Sequence, residues 1–378
     1  MQSCGPERSK ATGARQKIDQ LLSLLLGLAL LGGCASTPMV PYSLETPAMV
    51  LVPAAYAGVK DKRARFREIF CTVLETRKDK LPDYRPCEEA LSLVDDEPAA
   101  ANLPVILGPS HRKLIAAFVP GFGFDCFENW LEPPNTVAAH LHDYGYGSLL
   151  IGIEGLSGTQ RNARLIRDAL MALPVDSGAA RIVLIGYSKG ANDILDAIVN
   201  YPELHARLAA VVSIAGAIGG SPLANGIAQE LAERLRYFPG AECKQSDHGA
   251  IASLRPATRK NWLVRQRLPK SLPYYSLVTL PEEKRISWLL KGSYRKLARV
   301  DARNDSQVIF YDQVIPGSTL VGYLNADHWA VAMPIARRHA IIATLFVTQN
   351  EFPREVLAEA LLRFIEEDLD ERQLQTAN

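Results

Sequence analysis

Excess charge of either sign is missing from this chain of 378 residues: Lys+Arg number 42 against Asp+Glu 41, a formal net charge of +1. Phosphate binding needs a concentrated positive field, so the composition offers nucleic acid no general attraction, and no basic cluster stands out to supply one locally. Long hydrophobic runs are missing too. Leu21–Leu31 is the one stretch continuous enough to consider, and at about 11 residues it falls short of the roughly 20 that a spanning helix needs. A polytopic membrane protein is thereby excluded. Cysteine is too thin, at 6 residues, for a disulfide mini-scaffold, and no close Cys or His pairs suggest zinc. There is no internal repeat and no G-x-G-x-x-G, so neither a metal nor a cofactor is expected. What remains is an ordinary globular composition, 48% hydrophobic and 22% charged, long enough for one large α/β domain or two small ones.

The short apolar run reads as an address. Arg8, Lys10, Arg15 and Lys17 precede it, and Leu31-Gly32-Gly33-Cys34-Ala35-Ser36 follows, the n-region, h-region and small-residue site of an exported chain. The stretch around Cys34 resembles a bacterial lipobox, which implies acylation of Cys34 and removal of residues 1–33. The plain alternative is a secretory signal with a chance cysteine. The lipobox implies a membrane attachment through an N-terminal lipid anchor in the bacterial cell envelope. Ala35 in place of the Asp that marks inner-membrane retention points to the outer membrane, facing the periplasm. Export leaves Cys71, Cys87, Cys126 and Cys243 in an oxidising compartment, which suggests two disulfides with three possible pairings. Cys71–Cys87 with Cys126–Cys243 is the preferred set.

Residues 34–60 carry Pro38, Pro41, Pro47 and Pro53 and read as a tether. Residues 61–110 form an N-terminal helical extension, with Phe66, Ile69, Phe70, Val73 and Leu74 at helical spacing. Short apolar runs then alternate with amphipathic segments. Strands are expected at Leu114–Val119, Ser148–Ile153, Arg181–Ile185, Ala209–Ile214, Tyr274–Leu280 and Thr319–Leu324. Helices are expected at Ala138–His142, Asn162–Leu173, Ala191–Asn200 and Arg354–Asp368. That alternation predicts an α/β fold, a mostly parallel sheet flanked by helices, with halves over 111–220 and 273–378. Between them the alternation stops for about 50 residues, far beyond a usual connection. Ile227, Leu231, Leu235, Trp262, Leu263 and Leu268 supply apolar surface there, so residues 221–272 read as a helical cap or lid, with a purely structural insertion as the alternative.

Gly186-Tyr187-Ser188-Lys189-Gly190 stands between an expected strand and an expected helix. A serine lifted out of so sharp a turn needs small neighbours on both sides, and the turn brings the following amide to the site of a developing oxyanion. Here the sequence resembles the α/β-hydrolase fold family, lipases and esterases in particular. The resemblance implies a serine nucleophile, Ser188, with an acid and then a histidine later in the chain. His111, His140, His142 and His205 precede the required position, His248 lies in the insertion, and His339 sits in a basic segment. His328 remains, in a loop after the last expected strand. Asp301, Asp305, Asp312 and Asp327 all precede it. Asp305 is favoured because Asn304-Asp305-Ser306-Gln307-Val308 resembles the Asn-Asp-Gly-x-Val stretch that carries the lipase acid; Asp301 is the runner-up. Val119-Pro120-Gly121-Phe122-Gly123 resembles the His-Gly-Phe oxyanion loop of lipases with Pro120 in place of the histidine, which implies the amides of Phe122 and Lys189 as oxyanion donors. Val212–Ala224 is similar to a further lipase stretch, with Ala217-Ile218 where Pro-His usually stands. The resemblance covers about residues 113–345 and implies hydrolysis of acyl esters through an acyl-enzyme. Thioesterase or acyltransferase chemistry would use the same residues, and a non-catalytic envelope lipoprotein using the fold as a binding scaffold is the alternative of another class. Oligomeric state does not follow from these residues.

Overall fold

The computed structural model describes residues 52–94, 97–130, 135–174, 181–227, 234–237 and 240–377. The signal expected over 1–33, Cys34, most of the tether and Leu231 fall outside them. Seven parallel strands make one sheet: β1 (Lys60–Asp61), β2 (Ile115–Val119), β3 (Gly147–Leu150), β4 (Ile182–Tyr187), β5 (Leu208–Ile214), β6 (Tyr274–Thr279) and β7 (Thr319–Leu324). Their spatial order is β1-β7-β6-β5-β4-β2-β3. A parallel sheet is covered on both faces, so its central strands read as unbroken apolar runs, and all of β5 is buried.

Successive side chains on a strand point to opposite faces, so alternate residues of β4 seed two cores. Val183 and Ile185 join Ala210, Val212, Tyr275 and Val321 in one cluster, which α1 (Arg63–Arg77) and α7 (Arg354–Ala377) cover. Ile182 and Leu184 join Ala117 and Val211 in the other. That second cluster lies under α3 (Thr159–Met171) and α4 (Lys189–Asn200), through Ile166, Leu170, Ile194 and Ile198. The amphipathic helix α2 (Asn135–Asp143) adds Leu141 to the first cluster.

The N-terminal extension is no appendage. Phe66, Ile69, Phe70, Val73 and Leu74, spaced to one face of α1, are all buried in the first core, and Phe66 stacks edge-on against Phe364 of α7 at 6.1 Å. The tether is also shorter than its composition suggests: Ala54–Ala57 forms a 3-10 turn and Lys60 already pairs with Thr319. Composition missed β1 because a two-residue, polar edge strand has no hydrophobic signature. The expected strand Ser148–Ile153 ends at Leu150, although Ile151 still donates to Phe118 O at 2.8 Å. Disulfides join Cys71 to Cys87 and Cys126 to Cys243.

The described part of the insertion is bound tightly to the body. Trp262, Leu263 and Leu268 pack against the second core rather than forming a detached cover. In α5 (Pro256–Arg265) the neighbours Arg259 and Lys260 are both buried: Arg259 Nε donates to Ile218 O at 3.3 Å and Lys260 Nζ to Asp312 Oδ1 at 2.9 Å. Two buried cations on one turn hold that helix in a single place, since withdrawing it would strip both of their partners. The helix α6 (Lys291–Leu297) follows β6 on the way to β7.

Because α1 is core, truncating it should cost as much as truncating any core helix. Phe70→Ala is expected to lower unfolding stability by about 3–5 kcal/mol, read from the urea midpoint at unchanged slope.

Candidate active site

The chain makes its sharpest bend where β4 hands over to α4. Ser188 sits there at φ 55, ψ −123, a conformation unfavourable for a residue with a Cβ. Its surroundings hold it. Ser188 N donates to Ile214 O at 3.1 Å, and Ser188 O accepts from Ala191 N and Ala217 N at 3.2 Å each. The helix also approaches the sheet too closely for side chains at the flanking positions. A Cβ at Gly190 would stand 2.3 Å from the carbonyl oxygens of Val119 and Pro120, and one at Gly186 would stand 2.4 Å from the Cα of Ala191.

His328 arrives on the loop after β7. Its Nε2 lies 2.8 Å from Ser188 Oγ and its Nδ1 2.7 Å from Asp305 Oδ2. Several contacts aim the ring. His328 N donates to Asp305 O at 3.0 Å, and the Tyr187 hydroxyl donates to His328 O at 2.6 Å with the two rings 5.2 Å apart. Burial raises the Tyr187 phenol well above its ordinary pKa, so it remains a donor.

Asp305 is fully buried, and every lone-pair direction is answered. Its Oδ1 accepts from Gln307 N at 2.9 Å and Val308 N at 2.7 Å. Its Oδ2 accepts from the Thr279 hydroxyl and, at 3.3 Å, from Gln313 Nε2 besides the imidazole. Gln313 is in turn fixed by Thr279 N, which donates to its Oε1 at 2.8 Å. The other acids do different work. Asp301 forms an ion pair with Arg303 at 2.8 Å. Asp312 pairs with Lys260. Asp327 accepts from Ser287, Trp329 and Ala330 amides, tying its own loop, and burial pushes its carboxyl up.

The proposed oxyanion donors flank the serine. A Cβ at Gly121 would come within 2.9 Å of Ser188 Cβ, so the loop carrying Phe122 lies directly against the serine. Among the described residues neither Phe122 N nor Lys189 N donates to a protein acceptor. Lys189 begins α4, where an amide has no intrahelical partner. Its side chain, unlike most lysines, is fully buried: Nζ reaches Asp193 Oδ1 at 2.7 Å, one helical turn on. Burial raises the Asp193 carboxyl to about 6, against the opposing pull of Lys189 and of Asn162, which donates to Asp193 Oδ2 at 2.9 Å. The oxyanion loop is clamped beyond Phe122 as well. Asp125 accepts from Gly155 N and Lys244 N at 2.9 Å each, and Cys126, disulfide-bonded to Cys243, accepts from Glu242 N at 3.0 Å through its carbonyl.

Ser188, His328 and Asp305 thus stand as one hydrogen-bonded chain, while Asp301 is set apart with Arg303. Tyr187, Thr279 and Gln313 buttress that chain; Tyr187 stands inside the serine motif at a position that the motif leaves open, and Thr279 and Gln313 belong to no motif. A hydroxyl bonded to an imidazole, itself oriented by a buried carboxylate, with two free amides alongside, defines the serine-hydrolase class of α/β folds. No family model and no curated protein matches the chain. Among solved structures, a metagenomic carboxyl esterase is 38% identical, covering 88% of this chain and 99% of its own at a TM-score of 0.81. The chain belongs to this carboxyl esterase family. A lipase from Bacillus licheniformis in its mature form (20% identity, 64% of this chain and 93% of its own, TM-score 0.48) overlaps more loosely. So does the Staphylococcus hyicus lipase (13%, 70% and 99%, TM-score 0.49).

Ser306, in the acid-bearing loop, takes φ 83 where the similar lipase stretch has glycine, and its buried hydroxyl has no partner. Ser306→Gly removes both the left-handed strain and the orphan hydroxyl, so it should stabilise the protein by about 1 kcal/mol, seen as a raised Tm with ester hydrolysis unchanged.

Proposed function

We propose that the protein hydrolyses carboxylic esters with Ser188 as nucleophile, His328 as general base and acid, and Asp305 as the group that orients the imidazole and stabilises the charge it gains on taking the serine proton. The observation that carries this reading is the continuous pair of short bonds, Ser188 Oγ to His328 Nε2 at 2.8 Å and His328 Nδ1 to Asp305 Oδ2 at 2.7 Å. Ser188 Oγ attacks the ester carbonyl carbon as its proton passes to Nε2. The carbonyl oxygen becomes an oxyanion between the amides of Phe122 and Lys189. Collapse breaks the bond to the alcohol, which takes the proton from His328 and leaves an acyl-serine. Water, deprotonated by the same nitrogen, then attacks that acyl group and restores Ser188 as the acid departs.

An acyl substituent is the group best suited to the wall beside the oxyanion loop. Phe122 packs there with Ala224, Ile227, Ile251 and Leu254, an apolar cluster built largely from the insertion. An anchor at Cys34, with the domain held at the bacterial outer membrane on the periplasmic side, belongs to the same proposal and rests on the lipobox-like sequence alone.

Ser188→Ala should abolish fluorophosphonate labelling; label retained in the variant would place the nucleophile elsewhere. Asp305→Asn should lower kcat by about four orders of magnitude with the fold intact, whereas Asp301→Asn should stay near wild type; the reverse ranking would sink the assignment of the acid. Across p-nitrophenyl esters of rising chain length, kcat/KM should climb beyond acetate, and a preference for acetate would count against the acyl wall.

A further inference from the structure

Four large apolar side chains stand on two segments that meet at the surface near the His328 loop. Trp288 is 57% exposed, Ile341 67% and Leu345 54%. Ile341 and Leu345 share one face of the short helix Ala340–Leu345, and the half-buried Phe346 follows it. The Trp288 and Phe346 rings lie 5.8 Å apart, while Leu289 N donates to Phe346 O at 3.0 Å, so the two segments form one surface. Isolated exposed apolar residues are unremarkable, but a joined set that includes an indole marks an interaction site.

The chain around Trp288 is basic. From Lys284 to Val300 the sequence contains Lys284, Arg285, Lys291, Arg295, Lys296 and Arg299 and no acidic residue. Lys284 pairs with Glu282 at 2.7 Å and Arg285 with Glu89. The other four lie on α6 or just beyond it, and none of their side chains makes a hydrogen bond or ion pair among the described residues. A net charge of +1 for the whole chain means this local excess is no by-product of overall basicity. The cluster does not stand out in the sequence because its members are spread over residues 284–299 rather than contiguous.

We propose that this surface docks the domain on an anionic lipid bilayer, the apolar side chains entering the headgroup region and the α6 cations binding lipid phosphates. Unpaired, flexible cations beside an indole suit a fluid, negatively charged interface, which needs no matched shape. The surface is fastened to the active site: Ser287 N, next to Trp288, donates to Asp327 Oδ2 at 2.8 Å, and Asp327 precedes His328. A docked bilayer would therefore adjoin the loop that carries the proposed base. The inference does not depend on Cys34, nor on the assignment of Ser188.

The test uses the chain from residue 34 onward with Cys34→Ser, freed of the expected signal, and vesicles of dibrominated phosphatidylglycerol or dibrominated phosphatidylcholine, with tryptophan quenching as readout. Quenching is expected with the anionic vesicles, reduced by added salt, and its larger part should vanish in Trp288→Phe. Lys291→Glu with Arg295→Glu should weaken vesicle affinity by at least about 30-fold. Hydrolysis of a water-soluble ester should persist in every variant, and its absence from wild type would undo the esterase reading while leaving the docking result standing. Equal quenching by neutral vesicles, or quenching unchanged in Trp288→Phe, overturns the proposal. So does self-association that the same charge reversals abolish, which would give the surface to a second copy of the chain.

Discussion

The site depends on one strained residue. Ser188 can hold φ 55 because its own amide and carbonyl are bonded to the end of β5 and the turn beyond, at Ile214 and Ala217. Unfavourable backbone geometry persists only where the surroundings over-determine it. Here the determinants are the parallel ladder between β4 and β5, which sets where the turn begins, and the close approach of α4 to the carbonyls of Val119 and Pro120. The same approach brings the Phe122 loop against the serine, while the Lys189 amide is without an acceptor because it begins α4. The strain at Ser188 and the packing of α4 on the sheet are consequences of one contact.

Around that contact the buried carboxylates divide by what answers them. Asp305 is met by two amides, a hydroxyl, an amide side chain and the imidazole, so its charge is held by oriented dipoles and its lone pairs are fixed in direction. Asp193 is met by an ammonium within its own helix, and its carboxyl is nonetheless raised to about 6 because burial outweighs the Lys189 partner. Both groups are inside, yet only the first faces the serine relay. A buried ion pair adds little net stability against an apolar alternative but is costly to break. The Lys189–Asp193 pair is therefore best understood as fixing the first turn of α4, with the Lys189 amide as the part that faces the site.

Much of this was legible in the sequence, for reasons that mark where legibility ends. Unbroken apolar strands betray a doubly covered sheet, and the glycines around Ser188 betray the close approach, because those features leave a local mark. His328 and Asp305 could be ordered by chain position and by the similarity of residues 304–308 to a lipase stretch. What left no mark was long-range: that α1 is core rather than appendage, that Lys60–Asp61 extends the sheet, that Arg259 and Lys260 turn inward. Each is decided by a partner far along the chain, Phe364 for Phe66, Thr319 for Lys60, Asp312 for Lys260. Buttresses such as Gln313 are invisible for the same reason, since an amide side chain acquires meaning only when the fold brings a carboxylate to it.

The described parts of the insertion bear on the choice between lid and structural element in physical terms. A segment that closes and opens must be able to leave without stranding buried polar groups. The described parts of 221–272 fail that condition in two places, at α5, whose cations are buried, and at residues 242–244, which the Cys126 disulfide and the Asp125 carboxylate fasten to the oxyanion loop. Motion of α5 would strip Arg259 of Ile218 O and Lys260 of Asp312, and motion at 242–244 would break the bonds to Asp125 and Cys126. These stretches are therefore fastened to the body of the fold. The exposed apolar surface around Trp288 is joined to the His328 loop through Ser287 N and Asp327 and depends on neither stretch.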